Sequence, residues 1–237
     1  MDNKELFLKH QGQTTPYPLC MEVSKASGLY ITDTSGKKYL DLVAGVSACA
    51  IGHCHPRIVK AVQEQAASYM HVMVYGEFIQ SPQLQLAKKL ASVLPDSLNS
   101  SYFVNSGTEA IEGAMKLAKR STGRSEMISC DLSYHGSTQG TLSIMGTEQY
   151  KQKYRPLLPD CNRIVYNDIS SLRLITSKTA AVIIEPVQGA SGFRTPENNY
   201  LQEVRKRCTE VGALLIFDEI QTCYGRTGRL FGFQTYD

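Results

Sequence analysis

Five short apolar runs, separated by polar turns and helix-length stretches, constrain the second half of this chain. They fall at Tyr102–Val104, Met127–Cys130, Arg163–Tyr166, Ala180–Ile184 and Leu214–Phe217. Helical spacing covers Gly107–Arg120 and Asn198–Val211, and a further helix is expected after Gly136. Apolar runs without strict alternation suit strands covered on both faces. Strand–helix alternation then implies an α/β fold, a mostly parallel sheet with helices on both faces. Ligands of such sheets gather beyond the carboxyl ends of the strands, so the residues following each run are where chemistry is expected.

Four of these places carry suitable residues. After Val104, Asn105-Ser106-Gly107-Thr108 turns into a helix, and Ser106 and Glu109 have capping-box spacing. Gly107 permits close approach to a ligand, and the unpaired N–H groups of a helix start favour an anion such as phosphate. After Cys130 come Tyr134, His135 and Gly136. The aromatic could stack on a flat ring, while nothing nearby in sequence orients His135. Glu185 ends the fourth run, just before Pro186. A carboxylate there costs free energy unless it is paired, so a structural ion pair is the competing reading. Asp218 ends the fifth run, in "LLIFDEIQTCYGRTG". A buried aspartate in that position can hold a proton on a ring nitrogen by a charge-assisted hydrogen bond.

Other function classes fit less well. The formal charge is only +3, with basic residues scattered, so nucleic acid is not an expected partner. No apolar stretch has the roughly 20 residues of a membrane span, and "MDNKELFLKHQG" has no signal core. A cytoplasmic location with seven free thiols is expected. His53, Cys54 and His55 are adjacent, which rarely lets side chains converge on one ion, so no metal is expected. Neither GxGxxG nor GxxxxGK[ST] is present, which disfavours nicotinamide and P-loop chemistry. Towards the N-terminus, "GLYITDTSGKKYLDL" reads as a hairpin, and helices are expected after Pro56 and from Ser81.

The motifs "GHCHPRIV", "NSGTEA", "YHGST", "EPVQG" and "DEIQTCYGRTG", in this order, make the chain resemble the N-terminal portion of a class III aminotransferase, from about Leu29 to Gly232. The resemblance implies a fold-type-I enzyme, usually a homodimer, with pyridoxal 5′-phosphate as cofactor. It implies residues 1–55 as the N-terminal α+β segment of a small domain and 56–237 as an incomplete cofactor-binding large domain. By position, Gly107 and Thr108 should bind the cofactor phosphate through backbone N–H groups, with Ser106 beside them. Tyr134 should stack on the ring with His135 next to it. Asp218 should pair with the pyridine nitrogen, Gln221 should approach the 3-hydroxyl oxygen, and Glu185 should lie on the substrate side. The expected reaction is transfer of an amino group between an amine or amino acid and a keto acid or aldehyde. Mutase, racemase and decarboxylase chemistry of the same class are alternatives.

Four departures qualify this. Members using acetylornithine or 4-aminobutyrate typically carry Arg where this chain has Ser137. Ornithine- and 4-aminobutyrate-type members carry Glu where it has Ala190. Both argue for a different amino donor. Cys223 replaces a usual Gly and is expected to bring a thiol near the cofactor. Finally, the family's Schiff-base lysine lies a few tens of residues beyond the Asp of "DEIQ", and no residue here matches it: the last lysine is Lys206. The 237 residues alone are therefore expected to be inactive, as part of a longer enzyme, as one half of a split enzyme, or as a non-catalytic half acting through a partner chain.

Overall fold

The computed structural model describes residues 2–73 and 76–236, which fall into two compact units, Met1–Tyr75 and Gly76–Asp237. The first holds helix α1 (Asn3–His10), an antiparallel sheet β1–β2–β3 (Val23–Ser27, Tyr30–Asp33, Lys38–Leu40) and helix α2 (Pro56–Ser68). The expected hairpin is β2–β3. Its turn is built by Asp33, whose Oδ1 accepts the Ser35 and Lys37 N–H groups. Helix α1 was not foreseen: it is amphipathic only weakly and buries no residue, but Asp2 and Glu5 close a reciprocal capping box. The His-Cys-His cluster is divided among separate tasks. His53 pairs with Asp41 at 2.7 Å, and His55 Nδ1 accepts the Arg57 N–H at the start of α2.

The second unit contains α3 (Ser81–Ala91), α4 (Gly107–Thr122), β4 (Glu126–Cys130), α5 (Gln139–Ile144), β5 (Cys161–Ile164), β6 (Thr179–Ile184), α6 (Tyr200–Val211) and β7 (Leu214–Phe217). The four strands form one parallel sheet in the order β5-β4-β6-β7. Strand β6 is buried at every position, which is why it reads as an unbroken apolar run. Its side chains divide between two cores. Ile183 packs with Met127 and with Ile111, Met115 and Ala118 of α4; Val182 and Ile184 pack with Ile128 and with Leu201, Val204 and Cys208 of α6. Each fully buried aliphatic side chain contributes about 1.5–3 kcal/mol, so the sheet is fastened from both faces.

Three sequence expectations shift. Tyr102–Val104 joins neither sheet: Tyr102 is exposed, and the segment has no ladder partner among the described residues. The run at Arg163–Tyr166 becomes a strand two residues earlier, at Cys161–Ile164, because the Tyr166 N–H leaves the ladder for Asp131 Oδ1 at 2.7 Å. The capping box at α4 forms by half. Ser106 Oγ accepts the Glu109 N–H, but the Glu109 carboxylate reaches the Asn105 N–H rather than that of the cap. No described helix is long and apolar enough to cross a membrane.

The register brings four strand ends level. Cys130 pairs with Ile164, and Ile184 with Phe217. One further ladder bond, from the Asp218 N–H to Ile184 O, fixes the residue beyond β7 at 2.9 Å. Asp131, Glu185 and Asp218 thus emerge along one edge of the sheet.

Candidate cofactor site at the carboxyl edge of the sheet

A cavity of about 290 Å³ opens at that edge. Its walls include Gly107, Thr108, Tyr134, His135, Glu185, Asp218 and Gln221, together with Gly136, Ser137, Val187 and Ile220. Seven of the eight cofactor residues named from the sequence therefore converge, although they span more than a hundred positions. Ser106 is not among the lining residues; its hydroxyl serves the helix as N-cap. Cys223 does not line the cavity either, and burial pushes its thiol pKa up.

At one end of the cavity, α4 begins. Among the described residues no oxygen accepts the Gly107 or Thr108 N–H, so both donors stand free at the positive end of a 16-residue helix. A Cβ at Gly107 would lie 2.6 Å from Ile220 Cδ1, so this wall admits no side chain without displacing its neighbour.

At the base, Asp218 is buried. Its Oδ1 accepts the Ile220 N–H at 3.1 Å, and its Oδ2 meets His135 Nδ1 at 2.8 Å. His135 therefore has an orienting partner after all, 83 residues away in sequence. With Asp218 as the carboxylate, His135 donates from Nδ1, and Nε2 is its other ring nitrogen. That Nε2 is buried and has no hydrogen-bond partner among the described residues. Each Asp218 oxygen keeps a further lone pair for a donor in the cavity.

Glu185 straps the walls together. Oε1 accepts the Tyr134 N–H at 3.0 Å and Oε2 the Gly189 N–H at 3.1 Å. Burial nevertheless raises its pKa above the ordinary carboxyl value. It is neither a free acid nor half of an ion pair: both oxygens are occupied by backbone. Tyr134 leaves its ring half exposed at the rim while its backbone is tied down. Gln221 lies across Gly189, where an added Cβ would fall 1.8 Å from Gln221 Oε1.

Several supporting residues have roles that the sequence does not reveal. Gln188, fully buried, donates to Asp131 O and accepts from Arg194, which also pairs with Asp131 and lies over the Tyr166 ring. Glu219, neighbour of Asp218, turns the other way: its carboxylate accepts the Gly232 and Phe233 N–H groups at 2.7 Å and holds the final turn. The two acids of "FDEIQ" thus divide between the cavity and the loop behind it.

The donor set fits a planar, phosphate-bearing, nitrogenous ring. Free helix N–H groups suit the phosphate, a carboxylate suits a protonated ring nitrogen, and a half-exposed aromatic suits the ring face.

Comparison with known proteins gives a family. A model described as Aminotransferase class-III matches residues 12–237. The chain is 39% identical to an acetylornithine aminotransferase of Methanopyrus kandleri, covering 100% of this chain and 60% of that protein. It is 43% identical to an acetylornithine aminotransferase of Methanosarcina acetivorans, over 88% of this chain and 52% of that one. Among solved structures, a transaminase from the marine bacterium Virgibacillus superposes with a TM-score of 0.91 at 28% identity, over 99% of this chain and 58% of the other. The chain spans between about half and three fifths of the length of these relatives.

Proposed function

The chain belongs to the class III aminotransferase family, and on that premise we propose that the protein it forms part of is a pyridoxal 5′-phosphate-dependent transaminase. It would move an amino group from an amine or amino acid to a keto acid or aldehyde. The observation that carries the proposal is the meeting of Asp218, Tyr134 and the free N–H groups of Gly107 and Thr108 in one cavity. The relatives reported above are named aminotransferases or transaminases, which favours transamination over mutase, racemase or decarboxylase chemistry.

When bound, the cofactor supplies a protonated pyridine ring that accepts electrons from the carbon bearing the amino group. The chain's own residues prepare the place. Gly107 and Thr108 would hold the phosphate, and Tyr134 would cover one face of the ring. Asp218 would keep the proton on the ring nitrogen, with His135 fixing the orientation of its carboxylate at 2.8 Å. Gln221, which lies close to Gly189, would approach the 3-hydroxyl oxygen. Glu185 sets the distance between the Tyr134 loop and the Gly189 loop and so shapes the substrate side.

None of the lining residues is Arg or Lys, and Ser137 stands at the rim. We therefore favour an amino donor whose carboxylate, if it has one, is not anchored at position 137. We also propose that residues 1–55 belong to the small domain and 56–237 to the large domain of a cytoplasmic homodimer. The test is to load the whole protein with pyridoxal 5′-phosphate and screen amines and amino acids against keto acids and aldehydes. Failure to transfer from any donor, with the cofactor bound, would reject the proposed activity.

A further inference from the structure

Behind the anion-binding end of the cavity lies a closed group of polar side chains that the cofactor contacts do not use. Glu112, half-buried on α4, sends Oε1 to three donors: Thr138 Oγ1 at 2.7 Å, the Gly140 N–H at 2.8 Å and the Thr141 N–H at 3.2 Å. Thr108 Oγ1 lies 2.7 Å from Thr138 Oγ1 and 2.8 Å from Thr141 Oγ1. Two glycines make room for this. A Cβ at Gly140 would fall 2.2 Å from Glu112 Oε2, and one at Gly136 would fall 2.4 Å from Thr108 Oγ1.

Counting protons gives the group a direction. A hydroxyl has one proton to donate. Thr138 gives its proton to Glu112, so in its contact with Thr108 it must accept. The Thr108 proton then goes to Thr138 Oγ1 or to Thr141 Oγ1, because Thr141 can itself donate to Thr108, to Thr138 Oγ1 at 3.0 Å or to Thr138 O at 3.2 Å. Either way the group ends on the Glu112 carboxylate, which can only accept. The Thr108 proton is thereby committed away from the cavity. Binding of an anion at this end falls to backbone N–H groups, whose positions depend on where the Thr108 side chain is held.

We infer that Glu112 is a positioning residue for the phosphate-binding start of α4, acting through Thr138 and Thr108. It locks that start to the loop carrying Tyr134, His135 and Gly136. The inference rests on the reading that this cavity takes a phosphate-bearing cofactor. It also explains why a glutamate stands close behind an anion site without opposing it: its charge is turned onto the two N–H groups that open α5.

The test is equilibrium dialysis of the whole apo-protein against pyridoxal 5′-phosphate and, separately, against pyridoxal, which lacks the phosphate. Loss of a charge-assisted hydrogen bond should make Glu112→Ala bind pyridoxal 5′-phosphate roughly tenfold more weakly or worse, while pyridoxal binding changes little. Thr138→Val, which keeps the Glu112 bonds to backbone, should lose affinity in the same selective way if the alanine variant fails to fold. Glu112→Gln retains an acceptor oxygen and should restore phosphate-dependent affinity. Equal weakening toward both ligands, or unchanged affinity for pyridoxal 5′-phosphate, overturns the inference while leaving the cofactor reading intact. A parent protein that binds neither compound overturns both.

Discussion

Replacing Asp218 by asparagine separates a chemical role from a structural one, and the geometry sets the expected sizes. The carboxylate has two partners, the Ile220 N–H at 3.1 Å and His135 Nδ1 at 2.8 Å. Asparagine has one oxygen. If that oxygen stays on the Ile220 N–H, the new amide N–H₂ faces His135. His135 must then move its proton to Nε2, a buried atom with no acceptor among the described residues. The flipped amide instead opposes two donors at Ile220. Either arrangement leaves one buried group unsatisfied, a cost of about 1–3 kcal/mol. The fold should survive with a lowered Tm. Turnover should suffer separately, because a neutral amide cannot hold the ring proton as a carboxylate does. Losing a charged partner worth about 1.5–3 kcal/mol lowers the rate roughly tenfold to a hundredfold, or further where the site excludes water. Initial rates of the whole protein at saturating cofactor, alongside a thermal melt, measure both effects. If Asp218→Asn melts lower but turns over at the parent rate, Asp218 is a structural residue and the proposed ring-nitrogen role is wrong.

Other substitutions probe the supports. Gly136→Ala combines a φ of +123° with a Cβ 2.4 Å from Thr108 Oγ1; a melt should show a loss of at least about 1–3 kcal/mol, and an unchanged Tm would refute the crowding. Gly189→Ala should leave the melt nearly unchanged, since only the flexible end of Gln221 is displaced, yet weaken cofactor affinity in a dialysis measurement. Ile183→Ala, at a fully buried position in β6, should cost about 2–5 kcal/mol by denaturant titration. Because burial raises the Glu185 pKa, folding favours its protonated form. That contribution is complete below the ordinary carboxyl value and is lost as pH rises through the raised one. The Tm of the parent relative to Glu185→Gln should therefore fall with rising pH across the acidic range, and a difference independent of pH would contradict it.

The contrast between what could and could not be read from the chain follows from the range of the interactions. Strand β6 is legible because burial on both faces demands apolar residues throughout. Helix α4 is legible because Ile111, Met115 and Ala118 recur on one face and Ser106 caps it. The residues at strand ends are legible as candidates because parallel strands of similar length end together. Pairing among them is another matter. His135 and Asp218 lie 83 positions apart, and nothing local marks either as the other's partner. The Glu112 group is hidden for the same reason: its threonines look like ordinary helix-entry residues until the fold brings α4 and α5 together. The misjudged strand at Tyr102–Val104 shows the converse, since apolar character makes a strand only where a neighbour completes the ladder. Local pattern thus locates the edge of the sheet where chemistry can occur. Which polar groups are free there is decided by contacts distant in sequence. At this edge those contacts engage Glu185, Glu219 and Glu112 with backbone N–H groups, occupy Asp218 only in part, and leave the Gly107 and Thr108 N–H groups open to an anion.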